Sequence, residues 1–198
     1  VRFQLRVLAN SNSSKPLPKN SIGTIGGRAI SFEEYSQPLL LPNFGQFIEI
    51  IDKNAVTKDV FNRSYPISLN THQLDQVLGS AVAGTLRFSV DDQGVNYEVD
   101  VPDTTYGRDL MISVERGDIA GSSFGFSVRS HKDDGIYNDL PVRRILEFEQ
   151  ILEFSPTAIP AYRNSTVSLR AKDLWHPNQV EQPALIQQDV LLYYQLNL

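Results

Sequence analysis

A serine hydroxyl attacks a carbonyl only when an adjacent base takes its proton, and that base, usually histidine, needs a polar third group to fix its tautomer. The 198-residue chain offers few sets of this kind. It holds three histidines, His72, His131 and His176, and no cysteine. Ser123 lies in Gly117-Asp118-Ile119-Ala120-Gly121-Ser122-Ser123-Phe124-Gly125-Phe126, where flanking glycines leave a hydroxyl uncrowded and let a substrate backbone approach. The plainer reading of that stretch is a Gly-Ser turn entering a core strand. His72 sits in Leu69-Asn70-Thr71-His72-Gln73, and an imidazole ordinarily titrates near neutrality, as a general base must. A lone loop histidine is more often simply solvated. His131 lies in the polar run Ser130-His131-Lys132-Asp133-Asp134-Gly135, and His176 lies outside any periodic segment. For the orienting acid the candidates are Glu147, Glu149 and Glu153. Glu153 stands between Leu152 and Phe154, where a carboxylate without a partner would be costly. Spacing alone does not choose among the three.

Other chemistries fall away on composition. Without cysteine there is no disulfide, thiolate metal site or cysteine nucleophile. The histidines form no pair at helical ligand spacing, so neither a zinc site nor any other cofactor is expected. Acids at Glu33 and Glu34 are poorly placed for glycoside hydrolysis, because neighbours on a strand point to opposite faces. A net charge of -5 without blocks of like charge gives no electrostatic reason to expect nucleic acid or an anionic membrane as a partner. The apolar runs at 38–42 and 190–194 are far shorter than the roughly 20 residues that cross a bilayer, and the start lacks a basic-then-apolar signal pattern. The expectation is a soluble, non-secreted chain.

The elements that must hold these residues read mainly as strands. Val1, Phe3, Leu5 and Val7 alternate with polar residues as in a half-buried strand. Residues 10–21, rich in Asn, Ser, Lys and Pro, read as a flexible loop. Leu86, Phe88 and Val90, the turn Asp91-Asp92-Gln93-Gly94, and Val95, Tyr97, Val99 and Val101 make the clearest hairpin. Residues 104–116 predict a helix with a Thr cap, Tyr106, Leu110, Met111 and Val114 on one side, and Gly117 at its end. Along 123–128, Phe124, Phe126 and Val128 share one face and Ser123, Gly125 and Ser127 the other, which turns the serine away from the aromatic layer. Residues 142–154 read as a strand with Arg144, Leu146, Phe148, Leu152 and Phe154 as alternate positions, and Pro156 and Pro160 hold an extended segment after it. A tail over 176–198 reads as a terminal helix or strand. With 41% hydrophobic residues the chain can close one core, so a single domain over 1–198 is expected. Successive strands without βαβ alternation predict an α+β, mainly β fold: an antiparallel β-barrel or folded sheet with a few peripheral helices.

The order of short motifs resembles the prohead maturation serine proteases of tailed bacteriophages, which are distantly similar to the herpesvirus assemblins. Gly27-Arg28-Ala29-Ile30-Ser31-Phe32 looks like the family's Gly-x-Ala-x-x-Phe, and Gly45-Gln46-Phe47-Ile48-Glu49-Ile50-Ile51 like its next strand. His72, followed by Leu78-Gly79 and Gly84-Thr85-Leu86, resembles the family's Asn-His-Asp loop leading to Leu-Gly. Val101-Pro102-Asp103-Thr104-Thr105-Tyr106-Gly107-Arg108-Asp109-Leu110 and Ser123-Phe124-Gly125-Phe126 continue the match. Leu152-Glu153-Phe154-Ser155-Pro156 through Pro160-Ala161-Tyr162 resembles its Glu-Val-Ser-Pro segment ending in Pro-Ala-Tyr. Thr71 and Gln73 depart from the Asn and Asp that flank the family's histidine, and residues 52–56 lack its Pro-Gly-Ala-Phe.

The resemblance implies a herpesvirus-protease-like fold with Ser123 as nucleophile, His72 as general base and Glu153 as third member. It also implies a peptide-bond hydrolase acting in the host cytoplasm inside the assembling prohead. Its substrates would be the scaffold, or a segment of the major capsid protein, together with its own chain; the tract 10–21 is then an expected autocleavage region, and the start at Val1 is read as removal of an initiator methionine. No oxyanion donor is singled out among the backbone of 121–123, Arg143, Arg144 and Arg163. The rival reading is a non-catalytic assembly protein on the same fold, docking capsid or scaffold subunits through its β surface and tail. The apolar tail residues Leu191, Leu192, Tyr193 and Tyr194 would cover the chain's own core or pair two copies in a homo-oligomer.

Overall fold

A computed structural model describes residues 17–41 and 45–172. The expected strand at residues 1–7, most of the loop at 10–21, His176 and the 176–198 tail lie outside the described residues. Strands β1 (Ser21–Ser31), β2 (Leu39–Leu41), β3 (Gly45–Ile51), β4 (Ile67–Asn70) and β5 (Gln73–Ser80) come first, with helix α1 (Lys58–Arg63) between β3 and β4. Then follow β6 (Leu86–Asp91), β7 (Gly94–Pro102), helix α2 (Thr105–Arg116), β8 (Gly121–Tyr137), β9 (Leu140–Thr157) and β10 (Ser168–Lys172). They form two open sheets, one ordered β10-β1-β7-β6 and the other β2-β3-β9-β4-β5 with β8 alongside β9. The architecture is thus α+β, mainly β, and of the two expected forms it is the folded sheet. Two of its ladders, β3 with β9 and β4 with β9, are parallel.

Local chemistry accounts for the most legible elements. The β6-β7 hairpin turns where Asp91 Oδ1 accepts from the N–H groups of Gln93 (2.8 Å) and Gly94 (3.0 Å). Only glycine fits at position 94, because a Cβ there would lie 1.8 Å from the carbonyl oxygen of Ile30 on β1. In α2 the Thr104 side chain accepts from the Gly107 N–H, and Gly117 closes the helix in the left-handed region at φ 83°. Its Leu110, Met111 and Val114 are buried, and Tyr106 donates to the carbonyl of Val77 at 2.9 Å.

Strand β9 is the spine of the molecule. β8 pairs along nearly all of one edge, and the other edge is shared: β3 pairs at residues 142–145 and β4 at 153–154. A buried strand cannot leave its intervening backbone polar groups bare. α1 and its flanks supply the partners. Phe148 N–H donates to Ala55 O, Ile151 N–H donates to Ser64 Oγ, and the Arg63 guanidinium donates to the carbonyls of Phe148 and Glu149. Helix α1, which has no signature in the sequence pattern, is therefore an edge cover for β9.

The side chains of β9 depart from the alternation expected of them. From 142 to 154 the fully buried apolar residues are Val142, Ile145, Phe148, Ile151 and Phe154, one in three rather than one in two. The register explains it. Leu152, Glu149 and Leu146 are each skipped in the pairing with β8, so each is the extra residue of a bulge, and every bulge re-aims the chain by one position. Leu152, expected on the same face as Phe154, is instead 48% exposed. Between the sheets, Tyr97 of β7 stacks on Phe154 at 5.6 Å between ring centroids, and Phe88 of β6 stacks on Phe61 of α1 at 4.3 Å.

Candidate active site

The β8-β9 ladder places Ser123 opposite Ser155 and Gly125 opposite Glu153. Directly opposed residues of an antiparallel pair share a face, as do residues two apart on one strand. Ser123, Gly125, Glu153 and Ser155 therefore occupy one face, while Phe124 and Phe154 fill the core from the other. The separation of serine from aromatic layer expected along 123–128 is thus present at 123–125, after which a bulge at Gly125/Phe126 alters the register.

His72 arrives from another element. It is the second residue of the two-residue turn Thr71-His72 joining β4 to β5, and both residues have left-handed backbone, φ 48° and 64°. Such a turn matches the twist of a tight hairpin, but it is strained for residues that carry a Cβ, above all a β-branched threonine. The turn is pinned to β9 by Thr71 N–H donating to the Pro156 carbonyl at 3.2 Å, and the pairing of β4 with residues 153–154 fixes its distance from the spine. Thus His72 Nδ1 lies 2.6 Å from Glu153 Oε1, with both side chains about nine-tenths buried. An ionised carboxylate only accepts, so the imidazole nitrogen facing it carries the proton. That leaves Nε2 as the ring's acceptor. The second carboxylate oxygen, Oε2, accepts from Ser155 Oγ.

The other candidates are engaged elsewhere. Glu149 binds Arg129 at 2.6 Å, and Glu147 binds Arg129 at 3.2 Å and Arg63 at 3.5 Å. The Arg129 hydrogen bond holds the Glu149 carboxyl below the usual carboxylate range. His131 is exposed on β8 opposite Ile145. Glu33 binds Arg144 at 2.6 Å. Ser122 faces the interior: its hydroxyl donates to Thr166 O at 2.9 Å, which leaves Tyr97 OH, 2.8 Å away, as donor to it. Arg144 is clasped by Glu33 and Asp134, whose hydrogen bonds raise its pKa, and Arg143 by Glu49 at 2.6 Å. Arg144 and Arg143 lie nine and ten residues before Glu153 along β9. Arg163 is exposed, and of the backbone donors at 121–123 the Ser122 N–H is taken by Ser165 Oγ at 3.2 Å.

Two residues of the site, Gly125 and Ser155, meet the Glu153 carboxylate, a contact that the sequence does not predict. Gly125 lies beneath the Glu153 carboxylate, since a Cβ there would sit 2.9 Å from Oε1. For Ser155 the signal in the sequence is its place two residues after Glu153, on the same strand face, with a hydroxyl able to donate. Among the described residues no group of three or more His, Asp or Glu side chains is arranged to hold a metal, and no helix is long and apolar enough to cross a membrane.

Against known proteins, the family model described as caudovirus prohead serine protease matches residues 9–179. No curated protein and no solved structure matches the chain.

Proposed function

Because the chain belongs to the caudovirus prohead serine protease family, a serine protease role in phage capsid maturation follows, and we propose that Ser123, His72 and Glu153 are its triad. The observation that supports this reading most is the 2.6 Å contact of His72 Nδ1 with Glu153 Oε1, on a ladder whose register sets Ser123 on the face of Glu153. With Nδ1–H donated to Glu153, Nε2 is the ring nitrogen that accepts the hydroxyl proton of Ser123. The Ser123 oxygen then bonds to the scissile carbonyl carbon, forming a tetrahedral intermediate. Collapse breaks the C–N bond, and the imidazolium returns its proton to the leaving amine. Water, deprotonated by the same Nε2, hydrolyses the resulting ester and restores Ser123. Glu153 stabilises the imidazolium in both halves and stays ionised throughout. The substrates in this reading are the scaffold or scaffolding segment of the major capsid protein, and the chain itself.

Co-expression with the capsid and scaffold proteins tests it, with new amino termini mapped by mass spectrometry. Ser123→Ala and His72→Ala are each expected to lower the cleavage rate by about 10⁴-fold or more, with folding intact. Cleavage at the parental rate by Ser123→Ala would sink the mechanism.

A further inference from the structure

We propose that Ser155 is a positioning residue of this site: its hydroxyl, donating to Glu153 Oε2, fixes the carboxylate so that Oε1 faces His72 Nδ1. The proposal rests on the triad reading and adds a fourth group to it. The terminal torsion of a glutamate side chain is broad and soft, so a single hydrogen bond from the imidazole leaves the carboxylate free to swing. Donors on both oxygens remove that freedom. Ser155 is fully buried, directly across the ladder from Ser123, so water does not stand in for it. Gly125 leaves the space in which the carboxylate lies.

The partner chosen by Ser155 sets it apart from four other buried serines. Ser36 donates to the Gln37 carbonyl, Ser122 to that of Thr166 and Ser165 to that of Tyr162, while Ser64 accepts from the Ile151 N–H. Those four hold backbone together, as buried hydroxyls commonly do. Ser155 lies where the β8-β9 register runs without a shift, and its hydroxyl goes to an acidic side chain. Without it, Oε2 would be a buried acceptor lacking this donor, and the carboxylate would turn toward whatever donor it could reach.

Ser155→Ala and Ser155→Thr in the full chain test this, using a fluorogenic peptide that spans a cleavage site mapped for the parent. Ser155→Ala is expected to lose about 10- to 100-fold in kcat with KM within about twofold. The low-field proton resonance of His72 Nδ1–H, identified by its disappearance in His72→Ala, should move upfield or exchange faster in Ser155→Ala. In Ser155→Thr, which keeps the hydroxyl, that resonance should stay in place and kcat should recover to within about threefold. Parental kcat with an unmoved resonance in Ser155→Ala overturns the proposal. So does a loss of kcat that tracks a lowered melting temperature while the resonance stays put, since that marks a purely structural serine. If Ser123→Ala still cleaves, it is the triad reading that fails, and the resonance continues to decide whether Ser155 holds Glu153.

Discussion

Gly125 stands where any larger residue would meet the acid of the site. Its missing Cβ lies 2.9 Å from Glu153 Oε1, within the distance at which one of the two must shift. Gly125→Ala should therefore displace the carboxylate from His72 while leaving the core face, built from Phe124 and Phe126, in place. The expected result is a loss of roughly 10-fold or more in kcat with a melting temperature within a few degrees of the parent, measured by peptide cleavage and calorimetry. Parental activity would mean that Glu153 does not need its present position. Thr71 makes the complementary case. Its φ of 48° is tolerated far better by asparagine, which populates the left-handed region readily and suits this hairpin turn. Thr71→Asn should stabilise the protein by about 0.5–1 kcal/mol in urea denaturation, with cleavage unchanged because the anchoring bond to Pro156 uses the backbone. The site's strain thus sits in the turn that carries His72.

Strand β9 decides how far element-level pattern can be read. The alternation of apolar residues marks 142–154 as a strand, yet it puts Leu152 on the face of Phe154 and is silent on Ile151. The three bulges reverse this, because each skipped residue moves the following side chain to the other face. No residue type in the stretch announces a bulge; it is a property of pairing with β8, not of β9 alone. Ile151→Ala is therefore expected to cost about 2–5 kcal/mol, and Leu152→Ser less than about 1 kcal/mol, in equilibrium denaturation. The reverse ranking would restore simple alternation. Where the sequence determines its own turn, expectation and structure agree. Asp91 to Gly94 and the span from Thr104 to Gly117 carry their caps and turn residues within a few positions. The candidate site is intermediate. Ser123, His72 and Glu153 are visible as types, but choosing Glu153 over Glu149 and Glu147 needed either the family's motif order or the fold, which gives the latter two to Arg129.

At the scale of the whole molecule, a buried cluster around Glu49 ties β3 to the back of the site. Glu49 of β3 accepts from Arg143 of β9 at 2.6 Å and from the Tyr162 hydroxyl at 3.0 Å, and Tyr162 in turn stacks on Phe124, the residue after Ser123. Burial pushes the Glu49 carboxyl above its usual range, although Arg143 and the Tyr162 hydroxyl pull against it. The same burial drives the Tyr162 phenol well above its ordinary value, which keeps it a donor. The sign of the linkage follows from Glu49 holding its proton more tightly folded than unfolded. The contribution to stability is full at a pH below the unfolded carboxyl's range, and it is lost as pH rises through the folded one. Glu49→Gln keeps the shape and an acceptor for Arg143 while removing the titration. The parent's unfolding free energy should therefore fall, relative to that of Glu49→Gln, as pH is raised from about 4 to about 7. Urea denaturation across that range measures the difference. Parallel curves would show that Arg143 and Tyr162 offset the burial of the carboxylate completely, and the cluster would then act on the site through packing against Phe124 alone.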